Sequence, residues 1–314
     1  MPTVQKVHVD KMLSNISIGF KNEEFIADKI FRPVPVDKQS DRYYVYGKEV
    51  FRLHDDARAP GTEANEINWT LSDDTYFCEG HALRHPIPDE EKQNADDEFQ
   101  LEADATELLS EGILLNKEAD AAAKALDSDS YDSGLVFTRG GGGELPKWSH
   151  EDSDPVKDVE DAKKTLHKAS GLRPNILVLS APVYSALRIH PKLLGIFKNT
   201  EVSLVPLKMM KDFFEVDDIL IGSALKSSAT NPAGGDELSY VWGESAILAY
   251  VPKSPKKKSP ALGYSFMWNK DGQGAVQTRK WYEMGKRSTI IECERWYDQK
   301  IVSNIAGALF PDVL

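Results

Sequence analysis

The sequence predicts an α+β chain organised around one very long helix and a long β ribbon, followed by a compact region of short alternating α and β elements. Three observations carry this. Between Asp89 and Leu126 there is no proline and a single glycine, and apolar or small residues recur at Leu101, Ala105, Leu108, Gly112, Leu115, Ala119, Ala122 and Leu126. Steps alternating between four and three are the signature of a helix stripe. Upstream, two runs rich in aromatic and β-branched residues flank a polar Pro-Gly tip, and downstream short apolar runs alternate with amphipathic stretches.

Taken in order, residues 1–40 hold short apolar bursts (Val7, Val9, Ile16, Ile18, Phe20, then Phe25, Ile26, Ile30, Phe31) closed by Arg32-Pro33-Val34-Pro35. Prolines two apart block regular structure, so this segment is expected to be an extended arm lying on something else. Arg42 to Leu53 reads as a strand and Ile67 to Leu83 as its returning partner. Between them RAPGTEANEI, residues 58–67, forms a polar tip. A two-stranded ribbon this long is marginal alone and is expected to rest on another surface or subunit.

The helical pattern from Asp89 to Leu126 would span about 38 residues, or roughly 57 Å at about 1.5 Å per residue. Ala and Gly fill half of its stripe, which suits close approach of a sheet or backbone better than a leucine-rich coiled coil. Residues 87–126 carry 12 acidic and three basic side chains, a net of −9, and the early acids complement the positive helix end. Residues 251–300 carry 11 basic and five acidic side chains, a net of +6.

After breaks at residues 127–134 and at TRGGGGELP, Pro155 to Ser170 reads as an amphipathic helix closed by Gly171. NILVLS reads as a buried strand and residues 181–190 as a helix with Pro182 in its first turn. A short helix at Val205 to Phe214 and strands at Asp218 to Ile221, Leu238 to Val251 and Gly263 to Trp268 follow. Gly274 to Tyr282 and Arg287 to Trp296 form an antiparallel pair around Glu283-Met-Gly, returning beside the long helix.

Composition bounds the function. The chain has 314 residues, 41% hydrophobic and 28% charged, with a formal charge of −12, and a mean hydropathy of −0.43. At about 150 residues per domain this suggests two domains and excludes disordered, collagen-like and disulfide-stapled classes. No apolar stretch approaches the roughly 18–20 residues needed to span a bilayer, and no secretory segment opens the sequence, so residence in a cytoplasm is expected. Cys78 and Cys293 have no metal-like spacing and are expected as buried free thiols. A pI near 5.1 argues against tight wrapping of DNA.

No catalytic constellation, cofactor site or metal site survives inspection. Gly140 to Gly143 lacks the Lys-Ser or Lys-Thr of a phosphate loop, and Leu145-Pro146 prevents a helix from starting there. Asp127, Asp129 and Asp132 would need Gly at 132 and Glu at 138 to hold calcium, where Asp132 and Thr138 stand. Gly243-Glu-Ser245 lacks the closing glycine of a nucleophile elbow. His81 and His85 sit beside Pro86 and Pro88 in an extended stretch. The pairs Asp73-Asp74, Asp96-Asp97 and Asp217-Asp218 are expected to be solvated. Lys253, Lys256, Lys257 and Lys258 make the single basic cluster, framed by prolines: a solvated loop, or one that touches DNA or a neighbour's acids.

The order of arm, ribbon, long helix and α/β region resembles the major capsid proteins of tailed bacteriophages, which have the Hong Kong 97 fold. The most specific parts are RAPGTEANEI at the ribbon tip, YFCEGHALRHPIPDEE entering the helix, and SGLRPNILVLSAPVYSALRIHPKL, residues 170–193. The resemblance implies an N-arm at 1–40, an extended loop at 41–86, a peripheral domain with its spine helix at 87–149, and an axial domain at 150–265. Residues 266–314 would be strands rejoining the peripheral domain and a tail. It implies Arg58, Pro60, Gly61 and Glu63 as inter-subunit contacts at the loop tip, and Leu101, Ala105, Leu108, Gly112, Leu115 and Ala119 as the spine stripe. It further implies hexamers and pentamers of an icosahedral head assembled in the host bacterial cytoplasm and located in the virion. Double-stranded DNA would be held by loose contact, with a separate scaffolding protein, a portal and decoration or head-completion proteins as partners, and no membrane. A bacterial nanocompartment shell of the same fold and a soluble acidic hydrolase are the alternatives.

Overall fold

The computed structural model describes residues 13, 24–45, 53, 56, 57, 61, 63, 66, 72–95, 98–140, 145–195, 204–227, 238–254, 259–272 and 275–314. Two sheets and the long helix organise them. The arm contributes a short helix α1 (Ala27–Ile30) and a strand β1 (Arg32–Val36). The ribbon base is β2 (Ser40–Val45) with β3 (Ser72–Phe77), and β4 (Glu79–Pro88) follows. Then come α2 (Asp89–Asn94) and the long helix α3 (Glu98–Ala125).

Arg32–Val36 departs from the extended arm expected from its prolines. It is an edge strand running parallel to β10 (Gly263–Trp268). The Val36 carbonyl accepts from the Asn269 N–H at 2.9 Å, so residues 32, 34 and 36 face β10 and Pro33 and Pro35 face outward. The missing N–H groups fall where no partner needs them, and the same prolines protect the edge from further pairing.

In the five-stranded sheet the 14-residue β12 (Ser288–Ile301) is central. β4 runs antiparallel along one side of it; β11 (Val276–Glu283) and then β10 run along the other. The returning arm of the ribbon therefore divides at Cys78. Ser72–Phe77 pairs with β2, whereas Glu79–Pro88 pairs with β12. Gly263–Trp268 belongs to this sheet too, so the 150–265 boundary cuts into it.

The four-stranded sheet has the order β13 (Gly307–Phe310), β9 (Ala246–Ala249), β5 (Ile176–Ser180), β6 (Asp218–Gly222). All five residues of β5 are buried, because both faces are covered, and its run ILVLS is accordingly unbroken by polar residues until its end. One face packs with Trp148, Val159, Leu166, Val183 and Leu187 around α4 (Pro155–Ser170) and α5 (Ala181–Arg188). Asp154 caps α4 by accepting the Lys157 N–H at 3.1 Å, and Gly171 ends it at φ 69°. The other face meets Ala121, Ala122 and Ala125 of α3. Gly307–Phe310, which the sequence places in a returning tail, is an edge of this sheet. Leu238 to Val251 is likewise two strands, β8 (Leu238–Tyr240) and β9, separated by a turn. Among the described residues β8 pairs with β7 (Leu225–Ser227) alone.

The helical segment is not one helix of 38 residues. Ala95 adopts an extended conformation (φ −85°, ψ 139°), which ends α2 before α3 begins. α3 alone has 28 residues, roughly 42 Å at about 1.5 Å per residue. Its first half packs Ala105, Leu109 and Ile113 on Ile87, Ile291 and Cys293 of the five-stranded sheet, and its second half reaches the four-stranded one. The helix thus joins the two sheets.

Its buried face also differs from the 3.5-residue stripe. Ala105 is buried and Leu101, Gly112, Leu115 and Ala119 are half-buried, but Leu108 is 61% exposed. The face turned inward runs through Glu102, Ala105, Thr106, Leu109, Ser110, Ile113, Lys117, Glu118, Ala121, Ala122 and Ala125. Its polar members are engaged, some within the helix and others across the fold. Thr106 and Ser110 donate their hydroxyls to the carbonyls four residues earlier, at 2.8 and 2.7 Å, and Glu102 pairs with Lys92 and Lys280.

Candidate assembly surfaces

The ribbon base is fixed by aromatic residues. Tyr76 stacks on Phe266 of β10 with centroids 4.5 Å apart, and Tyr43 leans on the same ring at 5.3 Å. The Tyr43 hydroxyl donates to Asp74 at 2.7 Å, which holds that carboxyl below its usual range. Burial, followed by the Asp74 contact, pushes the Tyr43 phenol up, and burial pushes Tyr76 up to about 12. Arg42 pairs with Asp73 across the strands at 3.0 Å.

Beyond this base the described residues leave the core. Leu53 is wholly exposed, and Asp56, Ala57, Gly61, Glu63 and Glu66 are exposed as well. Gly61 has φ 83°, a turn conformation that suits glycine. Arg58 and Pro60 lie outside the described residues. A second exposed apolar face lies on the β7–β8 sheet, where Leu225 sits opposite Tyr240 and Leu238 opposite Ser227, all on one side.

Of the stripe residues, Leu101, Leu115 and Ala119 pack at the margins of the core and Leu108 is exposed. Gly112 faces Leu83 of β4: a Cβ there would lie 3.0 Å from the leucine Cδ1. Gly112→Ala should be tolerated, because the flexible end of a half-exposed leucine can move and the helix gains propensity. Gly112→Leu should instead force β4 outward and cost about 1–2 kcal/mol net, lowering the melting temperature by several degrees. Thermal unfolding of both variants checks this; an unchanged value for the leucine variant would show that this position faces open solvent.

The polar residues of the sequence motifs are placed apart or engaged structurally. His81 and His85 lie on extended β4, about 13 Å apart at roughly 3.3 Å per residue, and His81 stacks on Tyr297. The Asp127 carboxylate accepts the Asp129 N–H and the Ser130 hydroxyl, ending the helix region. Ser245 accepts the Asp312 N–H. Asp218 pairs with Lys211 and accepts the Ile219 N–H. Lys253 is exposed and 3.5 Å from Asp217, a surface pair of small energetic weight. Lys256, Lys257 and Lys258, Asp96 and Asp97, and Gly141 to Gly143 lie outside the described residues. Cys78 and Cys293 are buried, and neither forms a disulfide. Among the described residues no group of three or more His, Cys, Asp or Glu side chains could hold a metal, and no helix is long and apolar enough to cross a membrane.

A ribbon base clamped on the five-stranded sheet, a helix joining two sheets and exposed apolar residues make a molecule whose working parts are surfaces. The chain is 32% identical over 295 residues to the major capsid protein of Burkholderia phage BcepMu, a match covering 90% of this chain and 91% of the relative. The chain belongs to the major capsid proteins of tailed bacteriophages. No family model matches this capsid protein. Its fold superposes on the crystal structure of a phage-related protein from Bordetella bronchiseptica RB50 with a TM-score of 0.80 and 28% identity, covering 98% of both chains. It also matches the capsid structure of Cyanophage P-SCSP1u with a TM-score of 0.58 over 93% of this chain and 89% of that one. At 9% identity the latter shares the fold alone. The fold is of the Hong Kong 97 type, and the names borne by its relatives are those of structural components of a phage head.

Proposed function

We propose that this capsid protein assembles as hexamers and pentamers of an icosahedral head that encloses double-stranded DNA. The observation that carries the reading is the ribbon: its base is clamped on Phe266, while beyond it Leu53 finds no cover within its own chain. An apolar side chain on a projecting element gains its burial from a neighbour. Arg58, Pro60, Gly61 and Glu63 then meet an adjacent subunit.

In this reading residues 1–40 are the N-arm, 41–86 the extended loop, 87–149 the peripheral domain with its spine, 150–265 the axial domain, and 266–314 the returning strands. Two amendments follow from the strand pairings: 263–268 goes with the peripheral sheet and 307–310 with the axial one. A separate scaffolding protein, a portal and decoration or head-completion proteins are the further partners, with assembly in the host bacterial cytoplasm. Loose contact with DNA accords with a net charge of −12. A nanocompartment shell shares the fold, but identity over nine-tenths of the chain lies with a phage capsid protein. Negative-stain microscopy with light scattering tests the proposal. Rings or shells far larger than a 35.0 kDa subunit are expected; monomers that persist under all assembly conditions, with and without a scaffold partner, would overturn it.

A further inference from the structure

The inward face of α3 carries an acidic side chain whose burial needs an explanation. Glu118 is 1% exposed, and burial pushes its carboxyl above the usual range in spite of three N–H groups directed at it. The Ile26 N–H donates to Oε1 at 2.9 Å, the Ala27 N–H to Oε2 at 2.8 Å, and the Trp242 indole N–H to Oε1 at 2.7 Å. The first two are amides at the start of α1, a helix whose own N-cap residue, Ile26, provides no side-chain acceptor. Glu118 supplies from another element the cap that the local sequence omits.

The neighbouring residue holds the same short helix by opposite chemistry. Lys117, 3% exposed, pairs with Asp28 at 2.5 Å and lies over the Tyr297 ring. Two consecutive side chains of α3 thus grip the backbone start and a side chain of α1, which determines both its rotation and its position along the long helix. The third donor brings in the four-stranded sheet. Trp242 packs so closely on Gly222 of β6 that a Cβ there would lie 2.4 Å from the indole ring. A buried charge is a poor source of stability compared with an apolar residue of the same volume, but it specifies one arrangement.

We propose that Glu118 is the positioning residue of the amino-terminal arm: it registers α1, and with it β1, on the long helix, and it shares that hold with the Trp242 indole N–H. Docking of the arm and placement of the four-stranded sheet against the helix are then coupled through one carboxylate.

Hydrogen exchange on unassembled subunits tests this, read on the peptide spanning residues 24–31. Glu118→Gln keeps the volume but turns an amide N–H₂ toward at least one donor, and should speed exchange in that peptide about tenfold or more. Trp242→Phe removes one donor and should speed it several-fold, whereas Val241→Ala, which takes volume from the same apolar cluster, should not. The double variant should exchange more slowly than the product of the two single effects, because both act on one hydrogen-bonded group. Wild-type exchange in either single variant would overturn the proposal. So would independent effects in the double variant, or equal acceleration in the peptide that contains β5, which would signify general loosening. Because the exchange is read before assembly, its outcome is separate from that of the shell experiment.

Discussion

Gly263→Ala should be the most damaging single-methyl substitution in the five-stranded sheet. A Cβ at this position would lie 2.4 Å from Cε1 and 2.5 Å from Cδ1 of Phe31, and 2.7 Å from the Lys300 carbonyl oxygen. Phe31 is fully buried between α1 and β1, so its ring has no free direction in which to turn, and the carbonyl belongs to the partner strand β12. Relief requires β10 to separate from β12 or the arm to lift. Overpacking of a rigid site costs about 1–3 kcal/mol and occasionally more, and the backbone contact puts this substitution at the upper end. At about 2–4 °C per kcal/mol for a protein of this order of size, the melting temperature of the unassembled subunit should fall by roughly 6–12 °C. A second substitution, Phe31→Leu, should recover part of the loss by vacating the ring's space. A melting temperature within a degree or two of the wild type would mean that the arm does not press on β10.

Deletion of residues 55–66 should abolish assembly and spare the fold. The ribbon's tertiary anchors are at its base: β2 and β3 stay paired from Ser40 opposite Phe77 to Val45 opposite Ser72, and Tyr43 and Tyr76 stay on Phe266. The described residues within the deleted stretch are exposed and contribute nothing to a core. Circular dichroism and melting temperature should therefore match the wild type to within a few degrees, while particles disappear from light scattering and micrographs. Global unfolding would show that the tip packs on its own subunit, and wild-type shells would show that no neighbour depends on it.

The two experiments separate two kinds of information. A long helix ending near Leu126, the paired base of a ribbon and a buried strand at NILVLS are legible because each depends on local periodicity, and periodicity survives in a linear sequence. The face of the helix is another matter. Counting apolar residues selects Leu108, which is exposed, and passes over Thr106, Ser110 and Glu118, which are buried. Those polar residues are admitted by partners: the hydroxyls bond to the preceding turn and Glu118 bonds to an arm and an indole far away in the chain. Likewise Pro33 and Pro35 argue against regular structure only until the edge they occupy is known, since an outward-facing strand position requires no N–H.

By itself, then, the sequence determined the amphipathic helix Pro155–Ser170, the buried strand Ile176–Ser180 and the helical course of residues 98–125, because these follow from residue types and short-range repeats. The tertiary structure alone decided which strands meet: β1 with β10, β4 with β12, and β13 beside β9. It also decided which side of the long helix is buried and which carboxylate holds the arm. Strand partners and buried charges depend on contacts between residues far apart in the chain, and many pairings satisfy the same local pattern until packing and hydrogen bonding select one.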